Sequence, residues 1–243
     1  MSERKDLKIL LLQIRDNQNV RVEEHLSFAN FSKLELHQIE VLNVFDTPSF
    51  KPNQIDNYDA LYVGGASEAN VLELDKYPFV KNCIKLLRYA AEISKPTFAS
   101  CFGFQLAVLA FGGIILNKDK DYEMGTVKIS LTDKAKSDLI YQGIQDRFPA
   151  VSVHRQYAST IPEPLETLAY TGQCVHSFKY KNKPLWAFQF HPEVDRDTLV
   201  KRLTIFSRHY TANAEHLKEV LGSAVETPES NILLGNFVER VLL

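Results

Sequence analysis

Few cysteines and no excess of either charge mark this sequence. Its 243 residues include only three cysteines, Cys83, Cys101 and Cys174, whose wide spacing forms neither a disulfide framework nor a CxxC metal motif. The 28 basic and 30 acidic side chains leave a formal net charge of −2, which gives no electrostatic basis for binding nucleic acid or an anionic membrane. We therefore expect a cytoplasmic protein with no nucleic-acid partner, no membrane partner, no metal and no cofactor.

Long apolar runs are also missing. The run from Ile9 to Leu12 is too short for a signal peptide, and no run approaches the length of a membrane span. No Gly-x-x-x-x-Gly-Lys-Ser/Thr motif occurs, so we expect no nucleotide-dependent activation by this chain. A hydrophobic fraction of 45% supports a substantial core. We expect a single domain over residues 1–243, with its core at about 7–194 and a helical extension at 195–243.

Buried strands alternate with helices in the first half of the chain. Strands are predicted at Leu7–Ile14, Gln38–Phe45 and Ala60–Val63. A helix before Phe31 is expected to bury Val22, Leu26 and Ala29, and the next helix carries an apolar stripe. That stripe comprises Val80, Ile84, Leu87 and Ala91. This alternation predicts an α/β fold built on a mostly parallel sheet.

The pattern changes after Gly113. Residues 125–132 alternate between apolar and polar side chains, and further strand candidates lie at 150–154 and 166–170. Residues 174–180 and 184–190 read as a hairpin. We therefore expect added antiparallel strands. Two helices then complete the chain, one capped by Asp197 and one beginning at Thr227 and Pro228.

Cys101 lies where a short buried strand turns into an apolar helix. Its neighbours Ala99, Ser100 and Gly103 are small, as a tight turn requires. This is the pattern of a nucleophile elbow, in which a strained turn presents a reactive side chain. A buried structural cysteine at a strand end explains the same residues equally well.

A second stretch supports the nucleophile interpretation. The apolar segment from Leu185 ends in His191, Pro192 and Glu193. A thiol needs a nearby base to become a nucleophile, and a carboxylate can orient an imidazole. Because residues two apart share a face of an extended segment, Cys101, His191 and Glu193 form a plausible triad. Taken alone, His191 is better explained as a strand-end histidine whose hydrogen bonds are satisfied within the fold.

Three motifs together resemble the class I, triad-type glutamine amidotransferases. They are Ser-Cys-Phe-Gly-Phe-Gln-Leu around Cys101, Phe-Gln-Phe-His-Pro-Glu ending at Glu193, and the glycine-containing stretch 58–67. The likeness covers about residues 7–193 and is closest to stand-alone members similar to the glutaminase domain of GMP synthase. Ala99 replaces a glycine that is frequent at the elbow, and Ala66 replaces a proline that is frequent after the two glycines.

The resemblance implies a flavodoxin-like three-layer sandwich and a set of roles. Cys101, His191 and Glu193 would be catalytic, and the backbone N–H groups of Gly65 and Phe102 would form the oxyanion hole. Substrate-binding roles would fall to Gly64, Gln105 and His154, although a structural or rim role suits His154 equally. The substrate would be glutamine or a γ-glutamyl compound.

The resemblance implies hydrolysis of the glutamine amide through a cysteinyl-glutamyl thioester, with ammonia passed to a separate synthetase subunit. Two alternatives stay open. One is a γ-glutamyl peptidase that needs no ammonia acceptor, and the other is a non-catalytic subunit on the same fold. The sequence offers no partner for His176, His209 or His216, so all three are predicted to lie at the surface.

Overall fold

The computed structural model describes residues 3–206 and 214–243. Its α-helices are α1 Gln18–Ser32, α2 Phe79–Glu92, α3 Phe102–Ala110, α4 Asp133–Lys136, α5 Arg196–Ile205, α6 Ala214–Ser223 and α7 Pro228–Phe237. Short 3-10 helices lie at Arg4–Asp6, Leu36–Gln38 and Pro52–Asn57, and a π-helical turn at Val238–Leu242 ends the chain. Among the described residues, no helix is long and apolar enough to cross a membrane.

Nine strands of the described part of the chain form the central sheet. They are β1 Ile9–Gln13, β2 Ile39–Asn43, β3 Ala60–Val63, β4 Thr97–Ser100, β6 Glu123–Leu131, β7 Arg147–His154, β9 Leu165–Tyr170, β10 Val175–Tyr180 and β11 Leu185–Phe188. A separate pair is formed by β5 Leu116–Asn117 and β8 Gln156–Tyr157. The order in the central sheet is β2-β1-β3-β4-β11-β10-β9-β6-β7. The strands from β2 to β11 pair in parallel, and those from β11 to β7 pair antiparallel.

Helices cover both faces of the sheet. On one face α2 and α3 bury Leu87 and Phe104 against β1 and β3. On the other face α1 and α7 bury Phe28 and Phe237 against the same strands. The predicted α/β three-layer sandwich, with its mostly parallel half and its added antiparallel strands, is confirmed.

The inward face of α1 differs from the prediction. Val22 and Leu26 are 53% and 42% exposed, whereas Val20, Glu24 and Phe28 are buried. Ala29 is buried as predicted. The inward face also contains a buried carboxylate, so a pattern of apolar residues alone locates this face only in part.

The C-terminal region also differs in detail. Three α-helices, not two, follow residue 193 in the described part of the chain. The Asp195 carboxylate, not Asp197, caps α5 by accepting from the Thr198 N–H at 2.8 Å. Thr227 and Pro228 do begin α7, but the Thr227 hydroxyl donates to Asn231 rather than capping the helix.

Candidate functional site

The predicted site residues meet at the carboxyl-terminal edge of the parallel strands. Gly64 and Gly65 follow β3, Cys101 follows β4, and His191 and Glu193 come shortly after β11. The three strands are neighbours in the sheet, in the order β3-β4-β11. Ligands of open α/β sheets bind outside this edge.

Cys101 occupies a strained turn between β4 and α3. Its backbone has φ 51° and ψ −100°, a conformation that residues other than glycine rarely adopt. Two hydrogen bonds hold the turn, from Cys101 N–H to the Phe188 carbonyl at 2.6 Å and from Gly103 N–H to the Gly64 carbonyl at 3.2 Å. A Cβ on Gly103 would lie 2.8 Å from the Val63 carbonyl oxygen, so only glycine lets α3 approach β3 this closely.

His191 and Glu193 are paired at the site. His191 Nδ1 lies 2.7 Å from Glu193 Oε1, and both side chains are buried. The segment is a turn, closed by the Val194 N–H and the His191 carbonyl at 3.2 Å, and β11 already ends at Phe188. The expected extended conformation is therefore wrong, although the two side chains still meet.

The charges around His191 favour its imidazolium form. Burial opposes that charge, but the neighbouring Cys101 and Glu193 outweigh it and raise the pKa of His191 to about 9. Burial likewise opposes ionisation of Glu193, yet His191 and Arg202 keep the pKa of this carboxyl below its usual value. The Gln189 amide lies 3.9 Å from Cys101 Sγ as a further donor. The site therefore contains a cysteine sulfur beside an ionised imidazolium–carboxylate pair.

Gly65 lies in contact with two of these residues. A Cβ at this position would lie 2.8 Å from His191 Cε1, 2.8 Å from Arg15 Nη2 and 3.5 Å from Cys101 Cβ. Any larger residue would displace the imidazole or the guanidinium. Gly64 is equally confined, because its Cβ would lie 2.8 Å from the Glu24 carboxylate.

A buried ion pair lies behind the two glycines. Arg15 Nε donates to Glu24 Oε1 at 2.8 Å, with the two side chains 2% and 0% exposed. Arg15 Nη1 also donates to the Ser67 hydroxyl at 2.9 Å. Sequence reasoning missed this pair. The available signal was Arg15 itself, a charged residue two positions after the end of the fully buried strand β1.

A cleft of about 290 Å³ opens at Cys101. Phe102, Gln105 and His154 line it, together with the charged side chains of Glu68, Lys76 and Arg155. Two of the three predicted substrate-binding residues, Gln105 and His154, thus line one cavity with the predicted oxyanion-hole residue Phe102. The third, Gly64, uses its N–H to donate to the Leu12 carbonyl and its carbonyl to accept from Gly103.

Gln105 and His154 converge on one carbonyl group in the wall of this cleft. Gln105 Nε2 donates to the Gln156 carbonyl at 3.1 Å, and His154 Nδ1 lies 3.0 Å from the same oxygen. His154 Nε2 faces Glu123 Oε2 at 3.1 Å. The His154 side chain therefore lies between the cleft and a second polar cluster.

The surface position predicted for His176 is wrong. The side chain is fully buried in β10, and its Nε2 lies 2.7 Å from Glu123 Oε2. Cys174 Sγ lies 3.7 Å from the same oxygen. The cluster joins residues far apart in the chain, so sequence spacing could not reveal it. His216 is exposed as predicted, and His209 lies outside the described residues.

Comparison with known proteins finds relatives that agree with one another. The family model "Glutamine amidotransferase class-I" matches residues 27–205. One glutamine-hydrolysing GMP synthase subunit, from Methanococcus maripaludis, is 32% identical over 129 residues, 53% of this chain and 66% of that protein. Its counterpart from Methanocaldococcus jannaschii is 32% identical over 116 residues, 47% of this chain and 57% of that protein. The GMP synthase of Borreliella burgdorferi is 31% identical over 99 residues, 41% of this chain but only 19% of that protein. The chain thus spans less than two thirds of the length of each of these three relatives.

Solved structures agree with the fold. A glutamine amidotransferase from Thermotoga maritima superposes with a TM-score of 0.76 at 16% identity, covering 97% of this chain and 98% of that one. A glutamine amidotransferase from Methylobacillus flagellatus gives 0.66 at 18% identity, covering 98% and 93%. Because the family model spans most of the chain and the parallel sheet carries a cysteine elbow at its edge, the chain belongs to the class I glutamine amidotransferase family.

Proposed function

We propose that this chain hydrolyses the side-chain amide of glutamine through a thioester on Cys101. The observation that carries the proposal is the meeting of three groups at one sheet edge: the strained Cys101 turn, the His191–Glu193 pair and the Gly65 backbone. A buried ionised pair beside a thiol is the arrangement that activates a sulfur nucleophile.

The reaction proceeds in two halves. The proton of the Cys101 thiol passes to His191, and the sulfur attacks the amide carbon of glutamine. The resulting oxyanion accepts hydrogen bonds from the backbone N–H groups of Gly65 and Phe102. The His191 imidazolium gives its proton to the nitrogen, the C–N bond breaks, and ammonia leaves. Water then attacks the thioester carbon while His191 takes its proton, which releases glutamate and returns the thiol. Glu193 holds the imidazole and stabilises its charge throughout.

The cleft offers charges that suit the amino-acid end of glutamine. Lys76 and Arg155 can attract the α-carboxylate, and Glu68 can attract the α-ammonium group. Gln105 lies one helical turn after Cys101 and lines the same cavity. These residues would orient the substrate so that its side-chain amide points at the sulfur.

Replacement of Cys101 is the direct test of the nucleophile. Cys101→Ala should reduce glutaminase turnover to background, because the mutation removes the attacking sulfur. Far-UV circular dichroism should stay unchanged, because the fold does not depend on this sulfur. Cys83→Ala is the matched control, since Cys83 is a core residue of α2. A glutamine-analogue electrophile should label Cys101 alone by mass spectrometry. Comparable turnover in Cys101→Ala contradicts the assignment.

Delivery of ammonia to a separate synthetase subunit is the second part of the proposal. The archaeal relatives are named as subunits of GMP synthase, and ammonia is useful as a nucleophile only when it reaches its acceptor before protonation. We expect slow hydrolysis of glutamine by the isolated chain and a faster rate once the partner binds.

A substrate panel separates this role from that of a γ-glutamyl peptidase. On the isolated chain, kcat/KM for glutamine should exceed that for γ-glutamyl peptides. A peptide preferred over glutamine by about tenfold, equivalent to about 1.4 kcal/mol of transition-state binding, contradicts the amidotransferase role and leaves the cysteine chemistry standing.

A further inference from the structure

Four potential metal ligands converge beside the cleft, outside the proposed catalytic group. Glu123, His154, Cys174 and His176 each offer one ligand atom, and these atoms all lie within 4.8 Å of one another. All four side chains are buried. They come from β6, the end of β7, the residue before β10, and β10 itself, so three strands of the antiparallel half hold them in place.

A neutral imidazole cannot satisfy both hydrogen-bond partners of His154. A neutral imidazole has one donor and one acceptor nitrogen. His154 Nδ1 faces the Gln156 carbonyl at 3.0 Å, and its Nε2 faces Glu123 Oε2 at 3.1 Å. Both partners are acceptors when the carboxyl is ionised, so either tautomer leaves one lone pair against an oxygen. A cation at Nε2 resolves this, because Nδ1–H then donates to the carbonyl as the outer nitrogen of a metal-bound histidine usually does.

His176 is also incompletely hydrogen-bonded, although in a different way. Its side chain is fully buried, and among the described residues its Nδ1 has no hydrogen-bond partner. Its Nε2 lies only 2.7 Å from the same Glu123 oxygen that His154 faces. Two imidazoles and a thiol thus crowd around one carboxylate oxygen.

We propose that Glu123, His154, Cys174 and His176 bind one divalent transition-metal ion, with zinc as the best fit. Two imidazoles, a thiolate and a carboxylate are a mixed nitrogen, sulfur and oxygen set that suits zinc and does not suit magnesium or calcium. With ligand bonds of about 2.0–2.3 Å, a tetrahedral zinc site needs ligand atoms about 3.3–3.7 Å apart. The separations in the cluster run from 2.7 Å between His176 Nε2 and Glu123 Oε2 up to at most 4.8 Å, and so lie on both sides of that range.

Charge and access are consistent with this site. The Cys174 S–H proton leaves to solvent on binding, so one thiolate and one carboxylate neutralise the double positive charge of the ion. A cavity of about 270 Å³ reaches the cluster, lined in part by Glu123, His154 and Cys174. Four protein ligands complete a tetrahedron, which is the pattern of a structural rather than a catalytic zinc site.

The metal would fix the wall of the substrate cleft. His154 contacts the Gln156 carbonyl that also accepts from Gln105, and the neighbouring Val153 carbonyl lies 3.9 Å from Cys101 Sγ. A metal ion that fixes His154 would therefore also fix the segment 153–156, which faces Cys101. This inference stands on the cluster alone and does not depend on which amide the chain hydrolyses.

Cobalt substitution tests the site directly. The full chain without any histidine tag, carrying Cys101→Ala so that the elbow thiol cannot bind metal, is stripped with a chelator and titrated with Co²⁺. We expect one Co²⁺ per chain, with a thiolate-to-cobalt charge-transfer band and the intense visible bands of tetrahedral cobalt. Zinc should displace the cobalt with one-to-one stoichiometry and raise the melting temperature. Absence of the thiolate band in this protein overturns the proposal, whatever the variants do.

Variants then assign the ligands. Cys174→Ser should abolish the charge-transfer band, and His176→Gln should weaken cobalt affinity at least tenfold while keeping a polar group at the site. Cys83→Ala and His37→Gln are the matched controls, since Cys83 is a core residue and His37 is exposed, and both should bind as the parent does. Retention of the band in Cys174→Ser, or equal loss in the controls, contradicts the assignment. If one ligand variant fails to fold, the other still decides.

Discussion

At the scale of single residues, the charge of His191 controls the chemistry that we propose. The imidazolium is the form that gives a proton to departing ammonia, and the pKa of His191 is raised to about 9. The charged form is therefore present at neutral pH and is lost as the pH rises through that value. Cys101 and Glu193, which stabilise this charge against burial, are the residues on which the proton transfer depends.

A pH profile checks this charge. We expect kcat/KM for glutamine to fall on the alkaline side near pH 9, because the proton donor disappears there. Glu193→Gln should move this limb to lower pH, since it removes a negative charge that raises the pKa of His191. The variant should also be slower than the parent but less impaired than His191→Ala, which removes the base entirely.

Steady-state rates from pH 6 to 10 make the comparison, with Glu219→Gln on the exposed side of α6 as the control for loss of one carboxylate. An alkaline limb that stays in place in Glu193→Gln contradicts the electrostatic role of Glu193.

At the scale of secondary-structure elements, the buried Arg15–Glu24 pair joins the end of β1 to α1 beneath the Gly64–Gly65 turn. Burial raises the pKa of Glu24 against the opposing effect of Arg15, so this carboxylate depends strongly on its partner. Gly64 and Gly65, at the end of β3, lie against this ion pair. A side chain at either glycine would collide with the Glu24 carboxylate or the Arg15 guanidinium. The ion pair and the glycines therefore define the shape of the turn together.

Glu24→Gln should lower the free energy of unfolding by about 3–5 kcal/mol, because it leaves the buried Arg15 charge without its counter-charge. Chemical denaturation measures this directly. Glu219→Gln, an exposed replacement of the same type, should change stability by less than about 0.5 kcal/mol. A loss as small as that of the control would mean that the pair contributes no net stabilisation to the fold.

At the scale of the whole molecule, the C-terminal helix α7 forms part of the core. Phe237 is fully buried, with its ring 5.5 Å from Phe98, 6.1 Å from Tyr62 and 6.0 Å from Trp186. Those three residues lie in β4, β3 and β11. The helix thus packs on the α1 side of β3, β4 and β11, the strands whose ends carry the candidate site. Its packing supports the alignment of these strands.

Phe237→Ala should lower the free energy of unfolding by about 3–5 kcal/mol through loss of burial and the cavity left behind. Ile232→Ala on the same helix is the control, because Ile232 is 52% exposed and should cost less than about 0.5 kcal/mol. Denaturant midpoints of the two variants give the comparison. Similar losses in both would indicate that α7 is stabilised by its own helicity and not by contact with the sheet.

The sequence alone determined the features that depend on local pattern. Buried parallel strands are continuous apolar runs, so β1 and β3 could be located within two residues, and the elbow at Cys101 followed from small residues between a strand and a helix. The nearness of Cys101, Gly65 and His191 could also be expected, since strand ends in a parallel sheet meet at one edge. The roles of these residues stay predictions.

Only the tertiary structure decided the buried polar groups. Nothing local distinguishes Glu24 from an exposed carboxylate of an amphipathic helix, because its burial depends on Arg15 arriving from a different element. The same holds for Glu123, His154, Cys174 and His176, which lie on separate strands and meet only once the antiparallel half has folded. A polar side chain enters a protein interior when a partner compensates its lost hydration, and that partner is set by the fold rather than by the neighbouring sequence.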